Sequence, residues 1–143
     1  MSRSVPGFLR GAVVVCLASS ALFVGCSRND RIATTPVAGS VLGQDGKPLE
    51  RAIVIFHPTD TSVKFPKPRG TTDAEGKFQL STYDTSDGAP VGKYKVTIEQ
   101  WFRDNPDQAP TNHLPPNLAS ESSSGIEIQL SKGPNVLDPF KVR

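Results

Sequence analysis

KYKVTIE, residues 93–99, alternates with a period of two. Tyr94, Val96 and Ile98 fall on one side of an extended chain; Lys93, Lys95, Thr97 and Glu99 fall on the other. Successive side chains of a strand point to opposite faces, so this alternation marks a half-buried antiparallel strand. Working outward, the same period recurs. GKFQLS at 76–81 sets Phe78 and Leu80 together, and Ile126, Ile128 and Leu130 alternate with Glu127 and Gln129. AIVIF at 52–56 is apolar on both faces, as a central strand or one partly covered by a loop requires. Residues 37–42 and 135–142 complete the set, and no stretch carries a convincing helical period.

Turn chemistry separates these runs. Asp45-Gly46, Ala74-Glu75-Gly76, Asp87-Gly88 and Lys132-Gly133-Pro134 each offer glycine where a positive φ is expected. Pro139 interrupts the last run; proline cannot donate to a ladder, so that strand is expected at an edge or with a bulge. A bulge also lets Leu137 and Phe140, three apart, both point inward. The expected fold is all-β: a single Greek-key β-sandwich of about seven antiparallel strands. Two segments lack an obvious structural role, the proline-rich 57–69 and the long 101–124. Loops beyond about 12–15 residues are uncommon and often functional.

The N-terminus is of another kind. Arg3 and Arg10 precede a charge-free run from Gly11 to Gly25, the pattern of a secretory signal. The run is short of the roughly twenty apolar residues a permanent span needs. Phe23-Val24-Gly25-Cys26 resembles the bacterial lipobox, with Phe23 standing where an aliphatic residue is usual. The resemblance implies a lipoprotein signal peptide over 1–25 and lipidation of Cys26 by diacylglycerol, with a palmitate-type chain on the new amino terminus. Two or three acyl chains hold a protein firmly to a membrane, where one holds only marginally. The alternatives are a soluble secreted protein cut after Ala21 and an uncleaved anchor. Residues 26–35 read as the lipidated cysteine and a polar tether, and 36–143 as the domain. Cys16 and Cys26 are the only cysteines, so processing leaves no thiol for a disulfide and the fold rests on its core. About 118 residues remain, enough for one such core. The chain carries a formal +2, and removal of Arg3 and Arg10 leaves it neutral. Charge therefore gives no case for nucleic acid as a partner.

Four stretches follow in a familiar order: PVAGSVLGQDGKPLERAIVIFHP at 36–58, GTTDAEGKFQLSTY at 70–83, DGAPVGKYKVTI at 87–98, and LPPNLASESSSGIEIQLSKGPNVLDPFKV at 114–142. Together they resemble the bacterial carboxypeptidase-regulatory-like domains found in small secreted lipoproteins. Leu118 stands where that pattern carries an aromatic. The resemblance implies a transthyretin-like or prealbumin-like sandwich without catalytic residues of its own, and fold alone assigns no activity.

The residues offer little for catalysis. His57 and His113 are the only histidines and have no H-x-x-E or H-E-x-x-H spacing. His57 is expected as a surface residue at a strand end. Ser120 and Ser122 to Ser124 lack a G-x-S-x-G context and read as a flexible loop. Asp73, Glu75, Asp84 and Asp87 lie near turns; they are weighed as hard calcium ligands but expected as turn caps. A resemblance to self-crosslinking CnaB-like adhesin domains fails, because Asn135 has no lysine to meet in residues 37–42. Phe65, Trp101 and Phe102 stand outside the alternation. Trp101 and Phe102 are candidates for ligand or partner contact, or else close the end of the sandwich, and closure is the expectation.

The sequence thus points to a non-catalytic, lipid-anchored protein of a bacterial cell envelope, with no metal and no cofactor. Its partners are the membrane and an envelope protein or polysaccharide. Ser27 after Cys26 favours the outer membrane, facing the periplasm or the exterior. The alternative is a carbohydrate- or solute-binding module using the 101–124 loop.

Overall fold

The computed structural model describes residues 30–143, so the signal peptide expected over 1–25 and the expected lipidation site Cys26 lie outside the described residues. Twelve strands are defined there: β1 Thr34–Thr35, β2 Val37–Leu42, β3 Ile53–Pro58, β4 Arg69–Thr71, β5 Lys77–Gln79, β6 Ala89–Pro90, β7 Gly92–Glu99, β8 Trp101–Phe102, β9 Thr111–Asn112, β10 Ile126–Leu130, β11 Asn135–Val136 and β12 Phe140–Lys141. The described helical content is one 3₁₀ turn, Pro116–Ala119. The fold is all-β.

The KYKVTIE strand lies inside one sheet of order β10-β7-β3-β4. In the antiparallel β3–β7 ladder Val54 faces Ile98, Phe56 faces Val96 and Pro58 faces Tyr94. In β10, Ile126 faces Val96 and Ile128 faces Tyr94, so the alternations share one inner face. In the second sheet β2 is central, with antiparallel β5 on one side and β11 and β12 on the other. The chain passes from β2 to the first sheet for β3 and β4, and back for β5. It then returns for β7 and β10 and crosses last to β11 and β12, a Greek-key path. Arg69 and Ser81 exchange backbone hydrogen bonds of 3.0 and 2.9 Å and tie the sheets at one side. Gly70 permits this approach, since a Cβ there would come 2.5 Å from the Gln79 carbonyl oxygen.

Val54, Phe56, Tyr94, Val96, Ile98 and Leu130 from one sheet meet Val37, Val41, Phe78, Phe140 and Val142 from the other, all buried. Burying such side chains contributes about 1.5–3 kcal/mol each. Phe56 packs on Tyr94 at a 5.6 Å centroid distance, and Phe78 stacks on Phe140 at 6.0 Å. The Tyr94 hydroxyl donates to the Pro90 carbonyl at 2.7 Å. Burial, with Tyr83 adding to it, pushes the phenol up to about 12.

Gly46, Gly76, Gly88 and Gly133 all take positive φ, as the turn motifs require. The closing strand departs from expectation in its direction. It was expected antiparallel, yet β11 and β12 run parallel to β2. Residues 131–134 carry the chain across to the second sheet and deliver it beside the start of β2, where Asn135 N donates to Pro36 O at 2.9 Å. Pro139 splits the run in two, and β11 and β12 form the edge. Leu137 is half-buried and Phe140 buried, so both do turn inward across the break.

The polar tether is shorter than its composition suggests. Arg31 reaches Asp84 at 2.7 Å and lies over the Tyr83 ring, and the Tyr83 hydroxyl accepts from Ile32 N at 3.1 Å. Thr34 and Thr35 pair with Pro90 and Ala89. Gly88, at φ 86°, makes room for this strand: an added Cβ would overlap the Thr35 carbonyl oxygen.

Val96→Ala is expected to cost the domain about 2 kcal/mol through the lost methyls and the cavity they leave. Lys93→Ala, one face over and exposed, is expected to cost under about 0.5 kcal/mol. Denaturant titration of the two variants checks both; equal losses would remove the assignment of inner and outer faces.

Candidate functional site

The outer face of the β3–β7 pair holds the densest polar cluster. Ile53, Ile55 and His57 share that face, opposite Glu99, Thr97 and Lys95. An outward face on a two-layer sandwich normally meets water, yet Thr97 is 1% exposed and His57 8% exposed. The cover is the expected loop, which is ordered into a β8–β9 hairpin followed by the 3₁₀ turn against β7. Leu118 is buried there. His57 is thus not the surface residue expected. Its place in a strand apolar on both faces was the available signal.

Four side chains meet under this cover. His57 Nε2 lies 2.8 Å from Thr97 Oγ1, and Nδ1 lies 2.6 Å from Glu121 Oε1. Lys67 Nζ is 2.8 Å from Nδ1 and 2.9 Å from Glu121 Oε1. A nitrogen and a carboxylate oxygen 2.6 Å apart need a proton between them, which places it on Nδ1. The ring then donates to Glu121 and accepts from the Thr97 hydroxyl, and Lys67 donates to the carboxylate rather than to the ring. Burial lowers the His57 pKa below its ordinary value, and the Lys67 ammonium lowers it further; Glu121 opposes them without prevailing. The Lys67 hydrogen bond in turn holds the Glu121 carboxyl below its usual range, against its burial.

Hydroxyl, imidazole and carboxylate in this order have the connectivity of a nucleophilic relay. The hydroxyl is closed off, however, and a relay needs space for a reacting carbonyl beside it. The cluster fastens residue 121, beyond the 3₁₀ turn, to the centre of the sheet. Its role is to hold the loop.

The other expected sites are dispersed. The Asp87 carboxyl is pushed up by burial, but hydrogen bonds from the amides of Thr82, Tyr83 and Asp84 outweigh this and hold it low. Asp73 accepts from Glu75 N and Lys77 N, and Asp84 pairs with Arg31. These carboxylates work as turn caps and fasteners. Among the described residues no group of three His, Cys, Asp or Glu converges as a metal site. Asn135 closes its own turn through Ser131 and Gly133.

Trp101 does not close the sandwich. It is 47% exposed, and its indole N–H donates to Glu99 Oε2 at 2.6 Å. Phe102 stacks on His113 at 3.4 Å within the β8–β9 hairpin. Apolar bulk near a strand end has the look of a lid, but the buried apolar residue of this segment is Leu118, on the 3₁₀ turn against β7.

Two concavities stand out among the described residues. A shallow one of about 790 Å³ runs over β2, β4 and β5, with Ser40, Arg69, Lys77 and Gln79 among its lining. A smaller one of about 170 Å³ is lined by Ile32, Val63, Phe65, Val91 and Tyr94. Trp101 lines neither.

No family model matches the chain, and no curated protein does. Among solved structures it is similar to a 9R-lipoxygenase from Cyanothece PCC8801, at 18% identity and TM-score 0.42, over 77% of this chain. The chain spans only 16% of that lipoxygenase. It is also similar to the dioxygenase domain of a dioxygenase carbohydrate-binding protein fusion from Streptomyces sp. SirexAA-E, at 18% identity and TM-score 0.37, over 82% of this chain and 85% of that one. Neither likeness is strong enough to bear on activity.

Two outcomes are expected. His57 binds its proton less readily folded than unfolded, so its contribution is full above its ordinary 6.5 and is lost as pH falls through the lower folded value. Glu121 adds a loss in the same direction as pH falls below its ordinary 4.5. Unfolding midpoints should therefore decline as pH falls below about 6.5, and further below about 4.5, and His57→Gln should flatten the upper part. An unchanged slope in that variant overturns the cluster's role. Separately, Trp101 fluorescence should be red-shifted and freely quenched, and Trp101→Ala should cost less than about 1 kcal/mol; blue-shifted, protected emission would restore the lid.

Proposed function

We propose that this protein is a lipid-anchored, non-catalytic sandwich of a bacterial envelope, held at the membrane by Cys26 and engaging an envelope protein through its domain. The observation that carries the reading is the charge-free run ending in Val24-Gly25-Cys26, followed almost at once by a folded domain that contains no cysteine. The closed Thr97 hydroxyl and the dispersal of the acidic residues into turns support a binding or structural role over an enzymatic one. A second reading, a carbohydrate-binding module, is favoured by the half-exposed Trp101 with its indole held by Glu99.

Cys26→Ala is expected to abolish fatty-acid labelling in growing cells and to release the protein from the membrane fraction. Label retained in this variant overturns the anchor.

A further inference from the structure

The smaller concavity lies where the chain enters the fold. Ile32 forms part of its wall. Val63 and Val91, two of the four large apolar side chains most exposed among the described residues, form its rim at 42% and 49% exposure. Phe65 is half-buried behind them, its ring edge-on to Tyr94 at 6.5 Å. Lys93 lines the concavity and Lys64 follows Val63 in the chain; both are exposed, and neither makes an ion pair among the described residues. The acid at this site, Asp60, accepts hydrogen bonds from the amide and hydroxyl of Ser62.

We propose that this end of the sandwich is a membrane-seating surface, in which Val63, Val91 and Ile32 rest at the boundary of lipid headgroups and acyl chains while Lys64 and Lys93 meet headgroup phosphates. The inference rests on lipidation at Cys26. Five residues separate Cys26 from Ile32, six steps along the chain and a reach of at most about 20 Å at ~3.4 Å per residue. The fold is fastened from Arg31 onward by Asp84 and Tyr83, so the anchor cannot present another end of the domain to the bilayer as readily. Interfacial binding grows with apolar area and with attraction to anionic headgroups, and the rim supplies both. Lysine suits the place, since its stem lies along apolar surface while the ammonium stays in the polar layer. Of the other two exposed large apolar side chains among the described residues, Val136 lines the larger concavity and Trp101 stands on β8, away from both concavities.

The test uses the full-length lipidated protein in vesicles of phosphatidylethanolamine and phosphatidylglycerol. Val63→Cys, Val91→Cys and Val136→Cys each receive a polarity-sensitive dye. The expected result is emission shifted to shorter wavelength at 63 and 91, with water-like emission at 136. Water-like emission at all three in vesicle-bound protein overturns the seating and leaves the anchor standing. Failure of the unsubstituted protein to co-sediment with vesicles overturns the anchor, and the seating falls with it. Disulfide dimers of the unlabelled Val91→Cys protein, in place of a dye shift, assign the face to a second copy and overturn the proposal.

Discussion

The β3–β7 ladder is buried on both of its faces, and most of the remaining structure answers that constraint. The inner face is settled by the second sheet, which meets Phe56, Val96 and Ile98 with Val41, Phe78 and Phe140. The outer face has no second sheet to meet it. It is covered by chain that leaves β7, makes a hairpin, and returns against β7 as a 3₁₀ turn, with Glu121 beyond it reaching His57 of β3. Covering strands with irregular chain brings polar groups into contact with them, and a buried polar group without a partner is costly. His57, Thr97, Lys67 and Glu121 resolve this by bonding one another. A histidine at this position can accept on one ring nitrogen and donate on the other, which a methylated or aliphatic side chain could not do.

Much of the fold was legible because it is local. Period-two alternation in KYKVTIE and IEIQL follows from strand geometry, and the positive-φ glycines follow from turn geometry. The two-sided apolar character of AIVIF announced a cover without saying which residues provide it. The parts that escaped reading depend on distant chain. The direction of β11 and β12 is set by where the crossing at 131–134 releases them, and no residue in those strands encodes it. The burial of His57 depends on residues 116–121, far along the sequence, and the serines around Glu121 concealed the carboxylate among them. The tether was misjudged for a related reason. SRNDRIATT is polar, but Arg31 and Thr35 make their contacts with side chains and backbone far from them in sequence.

The two ends of the domain differ in chemistry. Around Ile32, Val63 and Val91 the surface is apolar with flanking lysines. Over β2, β4 and β5 it is mixed, with Arg69, Lys77 and Gln79 beside Val136 and Leu137. The β8–β9 hairpin stands apart from both, showing one face of an indole to water. A sandwich whose core and cover are satisfied internally leaves such surfaces free to differ without loss of the fold, so that contact with surroundings can change while the ladder does not.

Pro36 alone separates β1 from β2, and this continuity gives the domain a graded response to tension. A pull on the chain ahead of Arg31 first meets the Arg31–Asp84 pair and the two-residue β1–β6 ladder, whose few bonds yield one after another. The load then runs along β2, which is hydrogen-bonded to β5 on one side and to the parallel β11 and β12 on the other. Those bonds lie across the strand and must shear together. The soft fastening is therefore in series with a stiff one. Releasing residues 31–35 would free about 17 Å of chain ahead of β2 at ~3.4 Å per residue, letting the domain yield to a pull before its core is strained.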